Sequence, residues 1–325
     1  MGAPLRFVAR GGRSWRRRLW DPEISNELKA GIMRVGFLGL GTMGHPMAMN
    51  LHVAGVDLAV WNRQVDRTAA FRSLGVTIAD DPRAAVTGAD VVISMLADDA
   101  STHDVLIASG ALDDVSNGAV HVNMATVSVA FSREMTAVHA ARGVHYVAAP
   151  VLGRPNVAEA GNLTILAAGN AQAIEIIQPL FDVLGARTWR FGDRPEQANA
   201  TKLAANFMIG CAIEAMSEAS LLVEGFDVSA FSFLEMMTTA IFPVPAYQGY
   251  GAAIASSTFS PAGFKFSLAA KDQRLAVAAG EEAGAPMPFA GVLNDNYRDG
   301  IAHGDGDLDW GALSRVARRR AGHLE

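Results

Sequence analysis

Residues 33–44 read MRVGFLGLGTMG, and the fold turns on how this stretch is read. It is an apolar run closed by glycines at 39, 41 and 44. The run has the character of a buried strand, and the glycines end it in a tight turn. HPMAMNLHVAG (45–55) follows, with Met47, Leu51 and Ala54 at helical spacing and Gly55 at its end. DLAVWN (57–62) then reads as a second strand. Strand, G-x-G-x-x-G turn, helix and strand form the unit that holds a dinucleotide pyrophosphate. The first glycine makes the turn, the second admits the pyrophosphate, and the third lets the helix pack close. The anion rests on the first amides of the helix. Gly39, Leu40, Gly41, Thr42, Met43 and Gly44 are therefore candidate cofactor residues.

The end of the second strand selects the dinucleotide. NAD sites place an acid there for the ribose 2′-hydroxyl. This chain has Asn62 and Arg63, followed by Gln64 and Arg67. No carboxylate repels a phosphate, and a guanidinium is present to hold one in two places. Asn62 and Arg63 thus favour NADP(H), with NAD(H) still possible; the plainer alternative is that Arg63 merely opens the next helix in solvent.

Outward from this unit the pattern repeats. RQVDRTAAFRSLG (63–75) predicts an amphipathic helix, and short apolar runs at 89–96, 119–126, 145–153, 162–169 and 186–192 predict further strands. Alternating strands and helices predict an α/β fold: a doubly wound, mostly parallel sheet of the Rossmann type. The pattern changes near residue 193. Residues 196–225 contain no proline and predict one helix of about 30 residues, roughly 45 Å long. Only helical stretches follow, at 229–242, 246–255, 266–283 and 287–302. We read 33–193 as the nucleotide-binding domain and 194–325 as an all-α substrate and dimerisation domain opened by the long helix. GDGDLDW (304–310) reads as a turn that tucks Trp310 into a groove.

Composition bounds the rest. Half of the 325 residues are hydrophobic, 18% are charged, and the net charge is −6. A core is available, and a general nucleic-acid binder, which needs a basic face, is disfavoured. The single cysteine, Cys211, excludes an internal disulfide or cysteine–metal cluster and reads as packing. No metal site is expected. No uncharged apolar run of about 18 residues occurs, so no membrane span is expected. Residues 1–32 differ: the first twenty carry six arginines and no acid. That resembles an organellar transit peptide. The reading preferred is a disordered or artefactual extension before Met33, with a cytoplasmic protein.

Two stretches carry candidate chemistry. AAPVLGRPNVAEAG (148–161) is a small, apolar stretch with one charge, Arg154. Lys202 lies early in the long helix, and Asn206 shares its face at i+4. A lysine in a cleft between domains can protonate a carbonyl oxygen as hydride arrives, and Asn206 can hold the same oxygen.

GFLGLGTMGHPMAMNL (36–51), the loop 148–161, Lys202 with Asn206, and KDQRLA (271–276) occur in this order. Together they resemble the β-hydroxyacid dehydrogenase family, which includes 3-hydroxyisobutyrate dehydrogenase and the succinic semialdehyde reductases. The resemblance covers the chain from Met33 onward. It implies a nicotinamide-dependent alcohol–carbonyl oxidoreductase with Lys202 as general acid/base and Asn206 binding substrate. It further implies that Lys271 closes over the cofactor, that Asp272 locks the last helices, that Met95 and Leu96 cover the ribose, and that Thr126 lies beside the nicotinamide. It implies a homodimer or homotetramer paired through the long helix.

The chain departs from the family at the loop. The family pattern is D-A-P-V-S-G-G; here Ala148 replaces the acid, Leu152 the serine and Arg154 a glycine. Leu152, Gly153 and Arg154 are candidate substrate residues. Arg154 is expected either to take over carboxylate binding from the missing serine or to face solvent, with partial takeover preferred. Phe242, Tyr247 and Tyr250 are read as core or as pocket lining. Two alternatives remain: an imine reductase, whose W-N-R segment resembles Trp61-Asn62-Arg63 but which carries Asp or Tyr in place of Lys202, and a non-catalytic binding module.

Overall fold

The computed structural model describes residues 33–323. The expectations for residues 1–32 lie outside them. Nine strands form the sheet: β1 (Arg34–Leu38), β2 (Asp57–Trp61), β3 (Thr77–Ile78), β4 (Val91–Ser94), β5 (Val120–Asn123), β6 (His145–Ala148), β7 (Val151–Leu152), β8 (Leu163–Gly169) and β9 (Gly185–Arg190). Among the described residues, nine helices of seven or more residues are numbered in order: α1 (Gly44–Val53), α2 (Val129–Ala140), α3 (Ala171–Leu184), α4 (Glu196–Glu224), α5 (Ala230–Met236), α6 (Pro245–Ser256), α7 (Phe266–Ala283), α8 (Pro288–Ala302) and α9 (Leu313–Arg320).

The strand order is β3-β2-β1-β4-β5-β6-β8-β7, with β9 on the free edge of β8. The first six strands are parallel; β8 runs antiparallel to β6 and β7. Helices cover both faces of such a sheet, which explains why β1 and β4 are apolar without alternation, whereas β5 alternates valine with the buried polar His121 and Asn123. Val35, Phe37, Val91, Ile93, Val120 and Val122 are all buried in one core. The order reverses between β1 and β4, and a crevice at such a reversal is where doubly wound sheets take ligands. The glycine turn stands at the carboxyl end of β1, directly at that point.

Three local expectations are corrected. The run 145–153 is not one strand but two, divided at Pro150. Proline has no N–H to donate; its carbonyl instead accepts the Leu166 amide at 2.9 Å, so both halves stay on the same edge of β8. The helix expected over 63–75 is shorter and starts as a 3-10 turn at Val65–Thr68 before the helical turn Ala69–Ser73. There the Thr68 hydroxyl bonds the Val65 carbonyl at 2.7 Å, a local bond that competes with regular helix. The two-residue β3 carries too short a pattern to be seen in sequence.

Only helices and short turns follow β9 among the described residues. α4 is the axis of this lobe, with α5 to α9 packed around it. Ile213, Leu234, Tyr250, Phe266, Leu293, Tyr297 and Trp310 make its core, and half-buried Cys211 packs against them. Among the described helices, α4 alone is long and apolar enough to cross a membrane by composition. Its inward face nevertheless buries Asn199, Lys202, Asn206 and Glu214, which tie it to the polar interior of this fold.

Candidate active site

The glycine turn is built for something beyond the chain itself. Gly39 has φ +101°, and a Cβ there would lie 2.5 Å from the Met95 carbonyl oxygen. A Cβ on Gly44 would overlap the Gly39 carbonyl. These two glycines are required by the protein's own packing. Gly41 differs: a Cβ there meets nothing within 4 Å. The room beside it is open, and the N–H groups of Gly41, Thr42 and Met43 take no acceptor among the described residues. A cradle of amides without an acceptor at the start of a ten-residue helix fits a pyrophosphate.

Asn62 buttresses this turn from the end of β2. Its Oδ1 accepts the Leu40 N–H at 2.8 Å, and its Nδ2 donates to the Gln64 carbonyl at 3.0 Å. Both ends of the amide are thus used to hold the loop. Arg63 is exposed beside it. Across the crevice lies Asp98. Burial works to raise that carboxyl, but hydrogen bonds from Ser101 and the charges of Lys271 and Arg63 hold it below its ordinary value.

Met95 follows β4, and its N–H bonds the Leu38 carbonyl at 2.9 Å. Leu96 reaches within 2.9 Å of where a Gly39 Cβ would be, so Met95 and Leu96 flank the turn. Thr126 follows β5. Its carbonyl accepts from Lys271 Nζ at 2.8 Å, and the Ala97 carbonyl does so at 3.0 Å. Lys271 thereby pins α7 across the ends of β4 and β5.

Asp272 adjoins it, 2% exposed, with Oδ1 3.1 Å from Lys271 Nζ. Its Oδ2 accepts a hydrogen bond from Asn206 Nδ2 at 2.6 Å, fastening α7 to α4. Four residues before Asn206, Lys202 is 7% exposed and makes no hydrogen bond among the described residues. Burial pushes its ammonium down from 10.5 to about 8; Asp272 opposes the shift and Lys271 adds to it. One turn earlier, Asn199 is 1% exposed and its Oδ1 has no partner among the described residues. Asn199, Lys202 and Asn206 share one face of α4 at i, i+3 and i+7. This face thus sets a buried ammonium, its pKa lowered by burial, one turn from the unpartnered Asn199 Oδ1. Sequence reasoning missed Asn199, although its helical spacing from Lys202 was there to be read.

Arg154 is half-buried and tied to the helical lobe. Its Nη2 donates to Asp309 Oδ1 at 2.9 Å and Oδ2 at 3.2 Å, and its guanidinium lies 4.5 Å over the Tyr250 ring. The partner comes from GDGDLDW, where Trp310 is buried as expected and donates to the Tyr297 hydroxyl. Tyr250 is buried; Phe242 and Tyr247 stack at 4.6 Å, with Phe242 40% exposed. Leu152 is half-buried at the end of β7, and a Cβ on Gly153 would press within 2.7 Å of Leu163.

A buried chain beneath the crevice was not foreseen. Ser94 Oγ lies 2.8 Å from His121 Nε2, His121 Nδ1 lies 2.8 Å from His139 Nε2, and His139 Nδ1 donates to the Met135 carbonyl. Burial keeps both rings neutral, His139 at about 4 and His121 well below its ordinary value. The two histidines are far apart in sequence and carry no motif.

Two family profiles match the chain. The NAD-binding domain of 6-phosphogluconate dehydrogenase matches residues 34–192. The NAD-binding region of NADP-dependent 3-hydroxyisobutyrate dehydrogenase matches residues 197–317. The oxidoreductase YfjR of Bacillus subtilis is 41% identical over 88% of this chain and 100% of its own. Glyoxylate/succinic semialdehyde reductase 1 of Arabidopsis thaliana is 33% identical over 88% of this chain and 99% of its own. Among solved structures, Mycobacterium tuberculosis 3-hydroxyisobutyrate dehydrogenase with L-serine superposes with a TM-score of 0.80 at 26% identity, covering 89% of this chain and 100% of that one.

Proposed function

The chain belongs to the 3-hydroxyisobutyrate dehydrogenase-like family of β-hydroxyacid dehydrogenases, NAD(P)-dependent oxidoreductases, and from that premise we propose that it reduces a small aldehyde, semialdehyde or keto acid with NADPH, using Lys202 as the proton donor. The observation that carries this reading is the buried, unbonded Lys202 on the face of α4 shared with Asn206. Gly39, Leu40, Gly41, Thr42, Met43 and Gly44 would hold the pyrophosphate, Met95, Leu96 and Thr126 the ribose and nicotinamide side, and Arg63 a 2′-phosphate. When bound, the nicotinamide supplies hydride to the carbonyl carbon. Lys202 as ammonium gives its proton to the oxygen as negative charge develops there. For the reverse reaction neutral Lys202 takes the hydroxyl proton. Asp272 fixes the Asn206 amide, which is then oriented to hold the same oxygen. Lys271 keeps α7 fastened to the strand ends, so the cleft keeps its shape.

Lys202 favours this carbonyl chemistry over imine reduction. Exposed apolar residues on α4, Met208 and Leu222, support a homodimer or homotetramer through that helix. We place the protein in the cytoplasm. The test is NADPH oxidation with glyoxylate, succinic semialdehyde and a cyclic imine, repeated with NADH and with Arg63→Ser. The reading expects turnover of an aldehyde, and a loss of at least about tenfold in NADPH affinity, but not NADH affinity, on Arg63→Ser. Turnover of the imine alone refutes it.

A further inference from the structure

Asn199 is 1% exposed, and its Oδ1 meets no donor among the described residues. A buried carbonyl oxygen without a donor is destabilising, so its retention calls for a partner. The residues beside it on α4 meet apolar side chains. Ala198 shares a core with Ala125, Val127 and Ala148 at the ends of β5 and β6, and Leu203 packs with Val129 and Ala276. Ala125 and Val127 flank Thr126, whose carbonyl holds Lys271, so this end of α4 stands at the strand ends where the cleft lies.

Lys202 is the complementary case. It is 7% exposed, and its ammonium, a group with donors only, bonds nothing among the described residues. Long side chains on a helix lean toward its N-terminus, over the residues three and four positions earlier. For Lys202 those are Asn199 and Ala198, and of the two only the asparagine side chain has an acceptor. The carboxylate of α7 is already engaged: Asp272 Oδ2 accepts from Asn206 at 2.6 Å, and Oδ1 lies 3.1 Å from Lys271 Nζ. A buried donor and a buried acceptor, each unpaired, thus stand one turn apart on one face. Their Cβ atoms are roughly 5–6 Å apart by helical geometry, a gap that the flexible lysine stem spans.

We propose that Asn199 is a positioning residue for Lys202: its Oδ1 accepts one N–H of the ammonium and so aims another at the substrate oxygen. The inference rests on the carbonyl-reductase reading and deepens it by naming what holds the proton donor. Anchoring one N–H restricts where the others point, which proton transfer along a hydrogen bond requires. The same bond favours the ammonium over the amine. Among the charged groups around Lys202, α7 supplies Asp272 and Lys271, whose effects oppose each other. From α2 comes Arg133, 3.7 Å from Glu196 of α4, and Glu196 also lies 3.6 Å from Arg194. On the sheet side the Tyr146 hydroxyl of β6 is neutral and bonded to Asn123 of β5.

The experiment compares wild type with Asn199→Ala and Asn199→Asp. The chain has four lysines, Lys29, Lys202, Lys265 and Lys271, so NMR of isotope-labelled lysine follows Lys202 directly, its signal assigned by its loss in Lys202→Met. Wild type is expected to titrate at about 8. Asn199→Ala should titrate about one unit lower, a shift of about tenfold in the proton equilibrium, and Asn199→Asp about one unit higher. The break points in kcat/KM for reduction should follow. At about pH 6 the ammonium predominates in all three proteins; Asn199→Ala should still lose about tenfold in kcat there, with the KM for NADPH unchanged, because the proton is no longer aimed. An asparagine that only packs would move the thermal midpoint and leave the titration alone. A folded Asn199→Ala in which Lys202 titrates as in wild type overturns the proposal, whatever its thermal midpoint. Should Asn199→Ala not fold, the isosteric Asn199→Asp decides, and a titration at or below the wild-type value overturns it. If Lys202→Met retains turnover, the functional reading fails, and the lysine titrations still decide whether Asn199 holds the ammonium.

Discussion

Replacing Asp272 by asparagine should shift the pH profile of catalysis downward, because Asp272 is the group that supports the Lys202 ammonium against burial. In the wild-type protein the lysine falls from 10.5 to about 8. At pH 7 that leaves about one lysine in ten neutral, against about one in three thousand at the ordinary value, a gain of roughly 300-fold in the base form. The acid form still predominates, so one residue serves both directions. For reduction, kcat/KM should be flat below pH 8 and fall above it. For oxidation it should rise with pH and level off above 8. Asp272→Asn removes the carboxylate, so both break points move to lower pH; Lys271→Met removes a repelling ammonium and moves them higher. Lys202→Met should lose about 10²- to 10⁴-fold in kcat with NADPH affinity retained. The assay is initial-rate kinetics in both directions from pH 5.5 to about 10, with cofactor binding followed by fluorescence. A break point near 10.5 in wild type, or an identical profile in Lys202→Met, would refute the argument.

Two further outcomes test the turn and the helical lobe. Gly41→Ala should fold with an unchanged thermal midpoint, since its Cβ enters open space, but should weaken dinucleotide binding; Gly44→Ala should be destabilised by about 3 kcal/mol or more because backbone, not a movable side chain, blocks the Cβ. Denaturant titration and cofactor titration separate the two. Glu214 on α4 is 8% exposed, and burial raises its carboxyl to about 7 despite a hydrogen bond from Asn296. The folded state keeps a proton that the unfolded chain releases above about 4.5, so this group's contribution falls as pH rises from about 4.5 to 7. Glu214→Gln should match wild type at pH 4 and exceed it by about 3 kcal/mol at pH 8 in urea unfolding; a difference independent of pH would count against it.

Much of this molecule was legible in the chain. MRVGFLGLGTMG determined the βαβ start, because glycine spacing and strand hydrophobicity are local properties that survive any packing. The long helix was equally plain, since nothing between 196 and 225 interrupts it. Lys202 and Asn206 could be placed on one face from helical spacing alone. Partnerships between distant segments were beyond such reading. Asp272 meets Asn206 across 66 residues, and Arg154 meets Asp309 across 155. The Ser94–His121–His139 chain exists only because β4, β5 and α2 are brought together. Local sequence thus determined which groups the chain carries and where the longer elements lie. Tertiary packing decided which charges are compensated and which, like Lys202, are buried with a lowered pKa, because desolvation and pairing depend on neighbours that the sequence does not place side by side.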